Sequence, residues 1–152
     1  QYLLTGTYAP RPSVRTLSNA MDVGNPSNLA RLQTLYGDDV GRMRLDIEAI
    51  SITDRETLEE MGTTCRETGY ILDPHTAVGV AAARKVLERG AHSGPIIIAA
   101  TAHPAKFPEV VSSAIKTKIP LPEALKDALG RKKESTLIGA DYSEWKQLLL
   151  GG

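Results

Sequence analysis

Cysteine is nearly absent. Cys65 stands alone, so no internal disulfide can form, and no cysteine/histidine set has metal-ligand spacing. A lone free thiol fits a reducing, cytoplasmic setting. Net charge is also missing: 18 basic residues balance 18 acidic ones. That balance supplies no long-range attraction to nucleic acid or to an anionic membrane surface. The tightest basic cluster, Arg131-Lys132-Lys133, meets Glu134 at once and reads as a solvated loop. No apolar run approaches the roughly 20 residues that span a bilayer. The chain has no Walker loop, no ordered serine–histidine–aspartate set and no zinc motif. It also lacks an initiator methionine, and Gln1-Tyr-Leu-Leu-Thr-Gly6 has neither the charged start nor the cleavage pattern of a signal peptide. It reads as a cut through the middle of a longer chain.

What is present suits a globular domain. The 152 residues are 41% hydrophobic and 24% charged, enough for one compact core. Residues 1–19, with Gly6, Pro10 and Pro12, predict an extended leading segment, and residues 20–152 an α/β body. Helical spacing of Leu29, Leu32 and Leu35 predicts a helix capped by Asn25, with Pro26 at its first position and Gly37 at its end. One short further turn is expected over Asp38–Met43. Either Thr53 or Asp54 caps the next helix, through Thr68, which buries Leu58, Met61 and Cys65; Gly69 stops it. Asp73-Pro74 opens a helix running to Arg89 whose Ala/Val/Gly composition implies burial on more than one face. Further helices are expected over 109–116, 123–129 and 142–150, the last with Trp145, Leu148 and Leu149 as its docking face. The β-prone runs are Ala49–Thr53, Tyr70–Leu72, Pro95–Ala100 and Ser135–Ile138. Their alternation with helices predicts an α/β fold, a partial three-layer open sheet, mainly parallel, with Pro95–Ala100 as a central strand.

Three polar segments are candidates for chemistry. Thr101 and His103 fall at the carboxyl end of the expected central strand, where open sheets bind ligands, and Pro104 and Pro108 stiffen the turn. A hydroxyl there can donate to or accept from a ligand ring atom. His103 has no carboxylate close in sequence and reads as a hydrogen-bonded structural histidine; Lys106 reads as exposed or salt-bridged. His75 and Thr76 lie in the first turn of a helix that Asp73 caps, where free amides favour an anion or an electron-rich ligand edge. Capping and lining a pocket are compatible. The third segment, with Asp22, Asn25, Ser27 and Asn28, has the composition of a substrate-contacting loop and equally that of a loop with a helix cap.

Taken together, Ser18-Asn-Ala-Met-Asp-Val-Gly-Asn-Pro-Ser-Asn28, Asp73-Pro-His-Thr-Ala-Val-Gly79 and Ala100-Thr-Ala-His-Pro-Ala-Lys-Phe-Pro-Glu109 resemble threonine synthase of the longer microbial and fungal type. The resemblance runs from Tyr2 to about Leu150 and is to the carboxyl-terminal portion of that family. It implies a type II pyridoxal phosphate enzyme, a lyase converting O-phospho-L-homoserine and water to L-threonine and phosphate. It assigns Thr101 to the cofactor's pyridine nitrogen and leaves His103 and Lys106 as scaffold; Asp22, Asn25, Ser27, Asn28, His75, Thr76, Ala102 and His103 are the candidates to line the pocket. The family's Schiff-base lysine stands in a Lys-Asp context upstream, and the loop that cradles the cofactor phosphate is upstream too. None of the lysines here, at 85, 106, 116, 118, 126, 132, 133 and 146, has that setting. The expectation is therefore a chain inactive alone, partnered by an amino-terminal portion, with apolar surface that favours self-association. Two alternatives remain at this point: part of another type II pyridoxal enzyme, such as a dehydratase or β-replacement lyase, and a stand-alone non-catalytic binding domain.

Overall fold

The computed structural model describes residues 1–90, 92 and 94–151. The chain divides into two compact units, Gln1–Pro120 and Leu121–Gly152. The first holds α1 (Tyr2–Thr5), α2 (Leu29–Tyr36), α3 (Val40–Asp46), α4 (Asp54–Thr68), α5 (Pro74–Glu88) and α6 (Pro108–Ile115), with 3-10 turns at Asn19–Met21 and Pro104–Lys106. The second holds α7 (Glu123–Gly130) and α8 (Tyr142–Leu149).

The expected α/β open sheet is not there. Among the described residues no strand forms, and the architecture is helical. A β-prone run becomes a strand only when another extended segment takes up its N–H and C=O groups. The four apolar runs find no such neighbour in one another. Pro95–Ala100 instead forms no regular element: Ile97 is 94% exposed, while Ile98 lies against α5. A Cβ on Gly79 would sit 3.1 Å from the Ile98 Cγ2, so the bare α-carbon of Gly79 is what lets that side chain approach the helix.

Where helix signals were strong, local chemistry decides the boundaries. Thr53 caps α4: its hydroxyl accepts the Glu56 amide, and the Glu56 carboxylate accepts the Thr53 amide in return. Asp54 is thus the first helical residue of α4, and Gly69, at φ 76°, terminates it. Asp73 caps α5, and Asp141 caps α8 by accepting from the Ser143 and Glu144 amides. The helix expected to start at Asn25–Pro26 begins later, at Leu29, after Asn28, whose side chain makes no capping bond. Asn25 is drawn away: its Oδ1 accepts from the Tyr8 hydroxyl at 2.7 Å. Within residues 1–19 the regular elements are the single helical turn of α1 and the start of the 3-10 turn at Asn19.

Helix α4 packs on both α5 and α6. The core between them is Met61, Leu72, Ala77 and Val111, flanked by Ile71, Val80, Phe107 and Val110. Of the three residues expected on the buried face of α4, Met61 is fully buried and Leu58 and Cys65 are half-buried. The edge of the α4–α5 contact is charged. The Glu60 carboxylate, almost wholly buried, accepts from Arg84 Nε at 2.9 Å and from the Thr64 hydroxyl at 2.6 Å. Arg84 also reaches Glu67 at 2.8 Å, and these two carboxylates raise its pKa further above the ordinary arginine value. In the second unit, α8 keeps Trp145, Leu148 and Leu149 exposed. No helix among the described residues is long and apolar enough to cross a membrane.

Candidate functional site

The start of α5 is built around one carboxylate. Asp73 lies in the short link from the buried Leu72, and Pro74 fits the first helical position, where no N–H is needed. The Asp73 side chain is 1% exposed. Its Oδ1 accepts from the His75 amide at 2.9 Å and lies 3.0 Å from the His75 ring nitrogen Nδ1. Its Oδ2 accepts from the Thr76 hydroxyl. Of the side-chain polar atoms of Asp73, His75 and Thr76, only the far ring nitrogen of His75 is left to reach beyond the turn.

That nitrogen, Nε2, accepts the backbone N–H of Ala20 at 3.3 Å. Ala20 sits in the 3-10 turn Asn19–Met21, inside the Ser18–Asn28 segment. The His75 ring also packs against Phe107, centroid to centroid 5.0 Å and tilted by 50°. Phe107 follows the turn Pro104–Lys106, inside the Ala100–Glu109 segment. The three segments, far apart in the chain, thus meet on one imidazole.

The loop carrying Asp22 is held both from within and from α4. Asp22 accepts from the Thr16 amide and hydroxyl, both at 2.7 Å, and Leu17 N–H donates to Asp54 Oδ1 at 3.1 Å. Gly24 lies so close to the backbone of Arg11 that a Cβ there would fall 1.7 Å from the Arg11 carbonyl oxygen. Only glycine fits. Beside this loop opens a cleft of about 620 Å³, lined in part by Tyr8, Arg11, Ser13, Met21, Asp22 and Ser51.

The remaining expected site residues fall as follows. Thr101 is exposed and Ala102 half-buried. His103 is exposed, and its Nδ1 accepts the Ala105 amide at 3.1 Å and so caps the turn that follows. Thr76 is buried, its hydroxyl bonded to Asp73. Asn25, Ser27 and Asn28 are exposed. Lysines 106, 116, 118, 126, 132, 133 and 146 are exposed, and Lys85 is ion-paired with Glu56 at 2.6 Å. Among the described residues no group of acidic, cysteine or histidine side chains could hold a metal ion. Sequence reasoning missed Thr16 as the partner of Asp22, Asp54 as the anchor of Leu17, and the Ala20 amide as the partner of His75. The last two join backbone N–H groups to distant side chains, and an amide carries no mark of its partner in the sequence.

Residues 76–149 match the family described as threonine synthase, C-terminal. The chain is 33% identical to the threonine synthase of Serratia marcescens over 99% of its own length and 34% of that protein's. It is 31% identical to the Escherichia coli threonine synthase with the same coverage. Its backbone resembles crystal structures of threonine synthase from Escherichia coli (TM-score 0.72, 29% identity, covering 99% of this chain and 34% of that one) and from yeast (TM-score 0.74, 28% identity, 98% and 38%). A pyridoxal phosphate-bound threonine synthase from Brucella melitensis is similar too, at a TM-score of 0.68 and 29% identity over 97% of this chain and 36% of that one. The chain therefore spans about a third of the length of the relatives it matches.

Proposed function

We infer function from one premise: over nearly its whole length this chain corresponds to the carboxyl-terminal portion of threonine synthase. On that premise the whole enzyme is a type II pyridoxal phosphate lyase of the cytoplasm, converting O-phospho-L-homoserine and water to L-threonine and phosphate. Residues 1–152 are the carboxyl-terminal part, and the covalent anchor and phosphate cradle lie in an amino-terminal portion. The observation that carries the reading is the convergence of the three family segments on His75.

The residues present fit one side of the cofactor and not its anchor. Thr101 offers an exposed hydroxyl beside a turn that His103 caps and Pro104 opens. No lysine here is buried: seven are exposed, and Lys85 pairs with Glu56. When bound, pyridoxal phosphate supplies the electron sink that stabilises negative charge next to the amino-acid carbon. Thr101 would hold its pyridine nitrogen through a hydroxyl, which, unlike a carboxylate, does not force that nitrogen to stay protonated. The segment with Asp22, Asn25, Ser27 and Asn28, together with His75, Thr76, Ala102 and His103, would line or support the pocket. Alone, this chain holds one wall of the site and turns over no substrate.

Two experiments test this. Borohydride treatment of the chain with pyridoxal phosphate should give no stoichiometric label on any one lysine; selective reduction onto Lys106 would overturn the assignment of the anchor to an upstream region. The whole enzyme should act on O-phospho-L-homoserine and not on serine, threonine or acetylserine. The exposed Trp145, Leu148 and Leu149 of α8 favour self-association of the chain alone. Sedimentation should show a larger species that Trp145→Ser weakens, and a strictly monomeric chain would contradict it.

A further inference from the structure

His75 differs from an ordinary helix-start residue in the reach of its contacts. His103, by comparison, bonds only the amide two residues on. The His75 ring bonds Ala20, 55 residues away in the chain, and packs on Phe107. Its side chain is 6% exposed, so water does not substitute freely for either partner.

The two ring nitrogens have fixed and different duties. An amide N–H can only donate, so the nitrogen facing Ala20 must carry a lone pair. That makes the imidazole neutral, with its proton on Nδ1. The Nδ1–H then points at Asp73 Oδ1, 3.0 Å away. A carboxylate accepts and does not donate, and this one already accepts the His75 amide and the Thr76 hydroxyl, so its orientation is set independently of the ring. The chain of dependence runs one way. The cap of α5 orients Asp73, Asp73 selects the tautomer and the ring plane, and the ring receives the loop.

We propose that His75 is a positioning residue: a neutral, Nδ1-protonated imidazole that fastens the Ser18–Asp22 segment to the start of α5 and against the Pro104–Phe107 turn. The tether rests on hydrogen-bond geometry alone. Its use in holding Asp22 and the following loop toward substrate rests on the function proposed above. His75 touches no reacting atom in this scheme; it acts through the loop it holds.

Two near-isosteric variants separate tethering from packing, because asparagine reproduces the Nδ1 position and glutamine the Nε2 position. In the 152-residue chain, His75→Asn keeps a donor for Asp73 and loses the acceptor for Ala20. Loss of one such bond should speed exchange of the Ala20 amide about fivefold. His75→Gln keeps an acceptor there and should leave Ala20 within about twofold of the parent. The Met61 amide in α4 reports global unfolding and should not change in either. Equal acceleration of Ala20 in both variants, or none in His75→Asn, overturns the tether. Independently, long-range proton–nitrogen spectra of the unaltered chain should show Nδ1 protonated and Nε2 bare, and a protonated Nε2 overturns it without any variant. In the whole enzyme, His75→Asn should raise KM for O-phospho-L-homoserine about fivefold with kcat nearly unchanged, and His75→Gln should restore it. Unaltered KM alongside accelerated Ala20 exchange would overturn the positioning role while leaving the assigned reaction standing.

Discussion

Removing the Asp73 carboxylate should be the most damaging single change in the first turn of α5. Asp73→Ala withdraws the N-cap acceptor, about 1 kcal/mol by itself. It also strands two buried donors, the Thr76 hydroxyl and the His75 Nδ1–H. A buried donor left without a partner costs about 1–3 kcal/mol. The losses share one site and do not simply add, so about 3–4 kcal/mol is expected, a large fraction of the 5–15 kcal/mol that holds a domain of this size together. Asp73→Asn is the control. Its carbonyl can still accept the His75 amide, and the Thr76 hydroxyl can turn to accept from the new NH₂, so about 1–2 kcal/mol should be lost. Urea unfolding followed by far-ultraviolet circular dichroism reads both. A loss under about 1 kcal/mol for Asp73→Ala, or equal losses for the two variants, would refute the claim that this carboxylate organises the turn.

Two further outcomes follow from the α4–α5 contact. Hydrogen bonds from Lys85, and then from the Thr53 hydroxyl and amide, lower the Glu56 pKa from 4.5 to about 2. Because the folded value is the depressed one, the stabilisation is fully present above 4.5 and is lost as pH falls through the interval down to about 2. Urea midpoints of the parent and Glu56→Gln should therefore differ at neutral pH and converge in acid; a gap that persists at the acid end would count against the ion pair as its source. Met61, fully buried between α4, α5 and α6, should lose about 2–5 kcal/mol on replacement by alanine, and a change under 1 kcal/mol in the unfolding free energy would mean the core closes without it.

Helix ends were the most legible part of the fold because their signals are local. Thr53 with Glu56, Gly69, Asp73 with Pro74, and Asp141 each satisfy groups within a few residues, and each stands where its chemistry requires. The sheet was misread because strand pairing is not local. Pro95–Ala100 has the composition of a buried strand, but composition names no partner, and among the described residues the run lies unpaired with Ile98 on Gly79. Asn25 failed as a cap for a similar reason: the Tyr8 hydroxyl, 17 residues earlier, claims its side-chain oxygen. For the site, the sequence identified the three segments, and the His103 ring accepts the Ala105 amide two residues on. What could not be read was the junction, since His75 meets Ala20 through a backbone amide that every residue but proline possesses.

The central claim is that Thr101 faces the cofactor ring, and absorbance of the whole enzyme tests it most directly. Thr101→Val removes the hydroxyl and keeps the side-chain shape. The bound pyridoxal phosphate band should shift, and turnover should fall by roughly the tenfold or more that loss of a ring-nitrogen hydrogen bond of about 1.4 kcal/mol implies. An unchanged spectrum together with unchanged turnover would contradict the assignment and leave the exposed hydroxyl at the end of Pro95–Thr101 without a role.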